Sequence, residues 1–196
     1  MINSNQVKEE LKEIFQSETL NGDAILELLK HHEVTPETFL HRLSQILPGL
    51  FKITELHYFR FEHFVGKNEI RLTKELNMPR TLVPSGVRLK EHHCRRWLPL
   101  SLLKILEEEQ LKGNPNKILI RTQRAQFVES GDEVLFISIA HELRLRSKMN
   151  RCVSLGLRID NALKRKVKFL NDPQIPVEKV NQTCERCPLD NSQCSE

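Results

Sequence analysis

The cysteines are the residues of this chain with the clearest capacity for chemistry. Three of the five, Cys184, Cys187 and Cys194, lie within eleven residues near the C-terminus. Thiolates are the soft ligands that zinc and iron–sulfur clusters take up. Three thiolates cannot complete a four-thiolate site, so one ligand must come from elsewhere. By residue type, Cys94 and Cys152 are the candidates.

The spacing leaves the identity of the metal open. Zinc would accept three cysteines and one histidine, and His92 and His93 lie beside Cys94. An iron–sulfur cluster would prefer four cysteines, and Pro188 directly after Cys187 is a feature of such sites. The C-terminal cysteines have two other interpretations. They could be reduced surface thiols in a frayed tail, or Cys184 and Cys187 could form a thioredoxin-type redox pair. The redox pair lacks its usual strand-to-helix context, so a metal or cluster site is favoured.

Basic residues beside the upstream cysteine form a second candidate site. In "EHHCRRW", Arg95 and Arg96 could pair with phosphates while Trp97 supplies a flat apolar surface. The alternative is an ordinary half-buried tryptophan next to two solvated arginines. Residues 142–168, which include Arg144 and Arg146, hold nine bases against two acids, a net charge of +7. Such a segment indicates an anionic partner, nucleic acid or a phosphorylated ligand, unless it is simply a solvated face.

Signals of catalysis are absent from the sequence. "AHELRL" lacks the second histidine of a zinc-protease helix, and no glycine-rich phosphate loop or nucleophile elbow is present. The chain has no apolar run near the roughly 18 residues that would cross a bilayer, and "MINSNQVKEELKEIF" is unlike a signal peptide. We therefore expect a non-enzymatic cytoplasmic protein with reduced thiols and no membrane partner.

The surrounding pattern predicts the elements that must position these residues. Helical spacing predicts three helices in the first third: one from Val7, a short second one capped by Asp23, and a third from Pro36, capped by Thr35 and stopped by Pro48 and Gly49. Period-two stretches then predict an antiparallel sheet: "LHYFRFEHF", "EIRLT", "KILIRTQRAQFV", "EVLFISIAHELRL" and "CVSLGLRID". A helix is inserted from Pro99 to about Lys112, "KRKVKFL" would be an edge strand, and the chain from "NDPQIP" onward would be a loop.

The expected fold class is therefore α+β. N-terminal helices precede a mostly antiparallel sheet with an inserted helix and a cysteine-rich C-terminal tail. A sensor-type sheet of the GAF or PAS kind would fit this pattern.

Four stretches in register resemble one bacterial protein family. "TPETFLHRLSQILPGLF…LHYFRFEHF", "LVPSGVRLKEHHCRRW", "CVSLGL" and "VNQTCERCPLDNSQC" are similar to the C-terminal region of the short-chain fatty acyl-CoA regulators. These are XRE-type, IrrE-like transcription regulators. The resemblance covers roughly residues 8–194. It implies two parts, residues 1–50 as the end of an IrrE-like region and residues 51–196 as an acyl-CoA sensor domain.

The resemblance also implies a 4Fe–4S cluster and a short-chain acyl-CoA ligand. Cys94 matches the family's Cys-x-Arg-Trp, and Cys184, Cys187 and Cys194 match its C-terminal cysteines, while Cys152 competes for one place. We predict Cys94 as the fourth ligand. Arg95 replaces the usual proline, and the gap before Cys194 is about two residues longer than in the family.

From charge and aromatic placement, we expect the phosphates of the nucleotide to meet Arg95, Arg96 and basic residues at 144–148, and the acyl chain to lie by Phe59 and Phe61. The family's helix-turn-helix has no counterpart here, so DNA contact would need a helix-turn-helix elsewhere or a partner protein. A homodimer is compatible with this interpretation. The alternative function is a zinc-stabilised interaction or nucleic-acid-binding module.

Overall fold

Three helices begin the chain, and their caps explain where they start. The computed structural model describes residues 4–67, 69–78, 91–114, 117–143 and 148–190. The helices are α1 (Ser4–Gln16), α2 (Gly22–His31) and α3 (Pro36–Phe51). The Thr35 hydroxyl accepts from the Thr38 N–H, as predicted, but α2 is capped by Asn21 rather than by Asp23.

Helix α3 continues through Pro48 and Gly49 instead of stopping there. A proline removes one helical N–H, which weakens the last turn. Buried Leu47 holds that turn on the core, and the helix ends only at Phe51. Lys52 follows in the left-handed conformation, with a φ of 55°. The predicted stop was therefore wrong by less than one turn.

In the described part of the chain, the sheet has six strands and is antiparallel except at one edge. The strands are β1 (Leu56–Phe64), β2 (Ile70–Met78), β3 (Leu119–Phe127), β4 (Glu133–Glu142), β5 (Met149–Arg158) and β6 (Val177–Val180). Their order is β2-β1-β5-β4-β3-β6, and only β6 runs parallel to its neighbour. Helix α4 (Leu98–Leu111) is inserted between β2 and β3. The α+β class predicted from the sequence is confirmed.

Two predictions about the edge of the sheet were wrong. "KRKVKFL" is not a strand, because it joins the short helix α5 (Asn161–Lys164) to a 3-10 turn at Lys168–Asn171. Phe169 and Leu170 lie in this 3-10 turn and are both buried. The edge strand is instead β6, in a stretch predicted to be a loop. Strand β6 has only four residues and one buried side chain, so it carries little pattern.

The helices cover both faces of the sheet. Helices α1, α2 and α3 pack on one face and share a core with Leu135, Leu155 and neighbouring strand residues. Helix α4 packs on the other face, around Trp97, Phe59 and Phe136. The boundary predicted near residue 50 therefore marks a change of secondary structure inside a shared core. No helix within the described ranges is long and apolar enough to cross a membrane.

Candidate functional site at the junction of loop and tail

Two segments that are far apart in sequence meet beside the start of α4. We call residues 91–97 the thiol loop and residues 181–190 the tail. His93 and Thr183 form an antiparallel bridge. On either side, the N–H of Cys184 donates to the His92 carbonyl at 3.0 Å, and the N–H of Cys94 donates to the Gln182 carbonyl at 3.3 Å. Backbone pairing thus brings the upstream cysteine to the tail.

Trp97 connects this junction to the core of the sheet. Its Nε1–H donates to the Asn181 carbonyl at 2.9 Å, and its ring lies 5.9 Å from that of Phe59 and 6.2 Å from that of Phe136. Trp97 is only 1% exposed and Phe59 and Phe61 are equally buried. The indole therefore offers no face to a ligand, and the two phenylalanines belong to the core instead of a ligand slot. This placement runs against the binding roles that the sequence suggested for all three.

Cys94 and Cys184 adjoin at the junction, and Cys187 follows three residues after Cys184. Cys94 is buried and the two tail cysteines are partly exposed; all are free thiols. The N–H of Cys187 donates to the Cys184 carbonyl at 3.2 Å, so a tight turn holds these two residues. Burial raises the pKa of the Cys184 thiol, an N–H of Arg95 lowers it, and the nearby Cys94 raises it further. The predicted ligand Cys194 lies outside the described residues.

Cys152 occupies a different kind of position. It lies in the middle of the sheet on β5, opposite Phe61 on one side and Ala140 on the other. It is fully buried, and burial raises the pKa of its thiol. A protonated thiol in an apolar layer packs as a small hydrophobic side chain. This placement favours Cys94 over Cys152 as the upstream ligand.

The donor set fits a soft metal centre only in part. No group of three or more His, Cys, Asp or Glu side chains in the described ranges is arranged to hold a metal ion. The thiols of Cys94 and Cys184 are of the right chemical type and adjoin each other. His93 adds a nitrogen: its Nδ1 is buried and has no hydrogen-bond partner within the described part of the chain. Burial also lowers the pKa of His93, which keeps its ring neutral, the form that binds metals.

The predicted basic residues separate into three groups. Arg95 is exposed and Arg96 is half-buried at the junction. Arg144 and Arg146 lie outside the described residues. In the same basic segment, Arg151 pairs with Glu37 at 2.6 Å and with Glu62, and Arg158 pairs with Glu55 at 2.7 Å and with Asp132. Part of the +7 charge is therefore neutralised inside the protein.

A groove that sequence reasoning missed lies along the open part of β3. Strand β6 covers β3 only from Arg124 to Phe127. Beyond this short pairing, a cavity of about 770 Å³ extends between the start of α2 and the first turns of α4. We call it the β3 groove. Its lining includes Leu20, Asn21, Ile25, Ser101, Ile105, Ile120, Arg121, Thr122, Gln123, Asp172, Gln174 and Glu178.

One side chain connects the β3 groove to the thiol loop. Gln123 lines the groove and is 4% exposed. Its Oε1 accepts from the Leu98 N–H at 3.1 Å, and its Nε2 donates to the Arg96 carbonyl at 3.0 Å. It thereby satisfies a free N–H in the first turn of α4, where Trp97 provides no side-chain cap. The end of the thiol loop is fixed by a residue of the groove.

Comparison of the chain with protein-family models, with curated proteins and with solved structures finds no match.

Proposed function

We propose that this chain is a non-enzymatic, cytoplasmic ligand-sensing domain of a bacterial transcription regulator. It would bind a short-chain acyl-CoA and hold a 4Fe–4S cluster through Cys94, Cys184, Cys187 and Cys194. The observation that supports this most strongly is the backbone pairing of the thiol loop with the tail, which places Cys94 beside Cys184 although they are ninety residues apart.

The cluster would act as a clamp between the thiol loop and the tail. When bound, such a cluster supplies a redox-active group that is ligated by four thiolates. The chain's own residues supply the rest: the bridge between His93 and Thr183 sets the spacing of the two segments, and the Trp97–Asn181 hydrogen bond holds the tail to the core. If the cluster were lost, only these protein contacts would hold the tail to the thiol loop. The order of the tail would therefore depend on the redox state.

Zinc is the second candidate for the same residues, and His93 favours it. The neutral imidazole of His93, which precedes Cys94, has a buried Nδ1 with no hydrogen-bond partner among the described residues. Three cysteines and one histidine form a common structural zinc set. A zinc centre would make the junction a permanent staple without redox response.

Ligand sensing is supported by the β3 groove. Its volume of about 770 Å³ lies in the range of roughly 300–1,000 Å³ that small-molecule sites occupy. Direct nucleic-acid binding by the basic segment is less well supported, because Arg151 and Arg158 are already held in ion pairs. Contact with DNA is therefore assigned to a helix-turn-helix elsewhere or to a partner protein.

Metal analysis after anaerobic purification tests the cluster. Brown protein that absorbs broadly near 400 nm, bleaches in air and contains iron with acid-labile sulfide is the expected result. Colourless protein with one equivalent of zinc would instead establish the zinc centre. For the ligand, thermal unfolding with propionyl-CoA should show a higher Tm than unfolding with free CoA. Equal Tm values with both, together with salt-sensitive retention on DNA, would favour the nucleic-acid-binding module.

A further inference from the structure

The walls of the β3 groove combine apolar side chains with uncharged polar groups. Ile25, Ile105 and Ile120 provide an apolar surface from three different elements. The lining also includes amide and hydroxyl side chains: Thr19, Asn21, Ser101, Thr122, Gln123 and Gln174. Such a lining suits a ligand that alternates short hydrocarbon stretches with amide groups.

The charges in the groove disfavour a polyphosphate. Arg121 is the cationic side chain of the lining, against Asp172 and Glu178. The Arg121 guanidinium donates to the Ile120 carbonyl at 3.3 Å. Both carboxylate oxygens of Asp172 accept backbone N–H groups, so the side chain is fixed in the wall of the groove. Phosphates of a nucleotide would be repelled here, and they fit better outside the groove.

Among the described residues, β6 leaves the first part of the β3 edge unpaired, and this edge offers a backbone pair for an amide. The N–H of Arg124 points away from β4, since it donates to the Pro176 carbonyl at 2.9 Å. Backbone groups two residues apart on a strand point in the same direction. The N–H and carbonyl of Thr122 therefore also point away from β4, where Thr122 lines the groove. An extended ligand amide could pair with both groups as a short strand would.

We propose that the β3 groove binds the uncharged acyl-pantetheine arm of the ligand, and that Gln123 transmits its occupancy to the thiol loop. This inference rests on the acyl-CoA sensing proposed above. A ligand that pairs with the Thr122 backbone lies against the Gln123 side chain. Any shift of that side chain changes its hydrogen bonds to the Arg96 carbonyl and the Leu98 N–H, and so moves the residues directly after Cys94.

Calorimetric titration locates the ligand. Propionyl-CoA and S-propionyl-pantetheine should bind the wild-type chain with Kd values within about tenfold of each other. Ser101→Phe fills the groove from α4 and Ile105→Glu puts a charge on its apolar wall. Both should weaken binding of the two probes by at least about tenfold. Lys104→Phe is the matched control, since Lys104 is exposed on the same helix outside the groove.

The intrinsic fluorescence of Trp97, the only tryptophan, reports on transmission. Saturating S-propionyl-pantetheine should change its emission in the wild type. Gln123→Met should abolish that change while the Kd rises by less than about tenfold, because the link is cut and most of the groove remains. An emission change that survives in this variant overturns the role of Gln123.

The remaining outcomes separate this inference from the function on which it rests. Propionyl-CoA binding that is equal in Ser101→Phe, Ile105→Glu and Lys104→Phe overturns the groove and leaves acyl-CoA sensing intact. Binding of propionyl-CoA without binding of S-propionyl-pantetheine overturns the assignment of the uncharged arm. A wild-type chain that binds neither probe overturns the sensing function, and the groove assignment with it.

Discussion

Replacing Trp97 with phenylalanine should release the tail from the core. The indole Nε1–H is the donor to the Asn181 carbonyl at 2.9 Å in a buried setting, and phenylalanine has no donor. An unsatisfied buried carbonyl costs about 1–3 kcal/mol, and the smaller ring adds about 1 kcal/mol or more of lost packing. The free energy of local opening at the junction should fall by about 1–3 kcal/mol, the cost of the unsatisfied carbonyl. This fall corresponds to a roughly 5- to 150-fold larger equilibrium constant for opening.

Amide hydrogen exchange measures this opening directly. The N–H groups of Cys94 and Cys184 form the hydrogen bonds between loop and tail, so peptides that contain them should exchange faster by that factor in Trp97→Phe. Phe59→Leu is the matched control, because it removes volume from the same ring cluster and keeps the donor of the Trp97–Asn181 hydrogen bond. Equal exchange of the tail in both variants would refute the view that the indole holds it.

Two further predictions concern packing and pH. A Cβ at Gly156 would lie 2.7 Å from a ring carbon of Phe136, so Gly156→Ala should lower the free energy of unfolding by about 1–3 kcal/mol in urea titrations. Gly49→Ala, with no atom near its new Cβ, should raise it by about 0.5–1 kcal/mol, and the opposite ranking would contradict the packing account. Burial lowers the pKa of His141 below its usual 6.5, so its contribution to stability is full above pH 6.5 and is lost as the pH falls toward the folded-state pKa. His141→Gln should remove up to about 1.4 kcal/mol of the stability difference between pH 7.5 and pH 5.5; an unchanged difference would show that other groups cause it.

The sequence predicted the strands whose faces alternate clearly and missed the elements that alternation does not mark. The helix α4 and the hairpin of β1 and β2 follow from local pattern and turn residues, and both are confirmed. The short strand β6 pairs with β3 through its backbone, and only Val180 among its side chains is buried. No residue pattern in the sequence predicts such a short strand. The part of the β3 edge that β6 leaves uncovered could therefore not be predicted either.

The candidate site shows the same division between side-chain type and tertiary placement. Cysteine type alone left Cys94 and Cys152 as alternatives for the fourth ligand, and the family resemblance led to the prediction of Cys94. The structure brings Cys94 and Cys184 together. The role of Trp97 could not be read from "CRRW", because an indole next to two arginines looks the same whether its ring faces solvent or the core. Gln123 was also missed, since its two partners lie on a loop and a helix start that only the fold brings near it.

Iron content of single-cysteine variants tests the central claim, that Cys94 and the tail cysteines form one metal centre. Wild-type protein, Cys94→Ser and Cys152→Ser would be reconstituted anaerobically with iron and sulfide and analysed per polypeptide. The account predicts about four iron atoms in the wild type and in Cys152→Ser, and a large loss in Cys94→Ser. Full iron in Cys94→Ser together with loss in Cys152→Ser would contradict it, because the upstream ligand would then lie in the core of the sheet instead of the thiol loop.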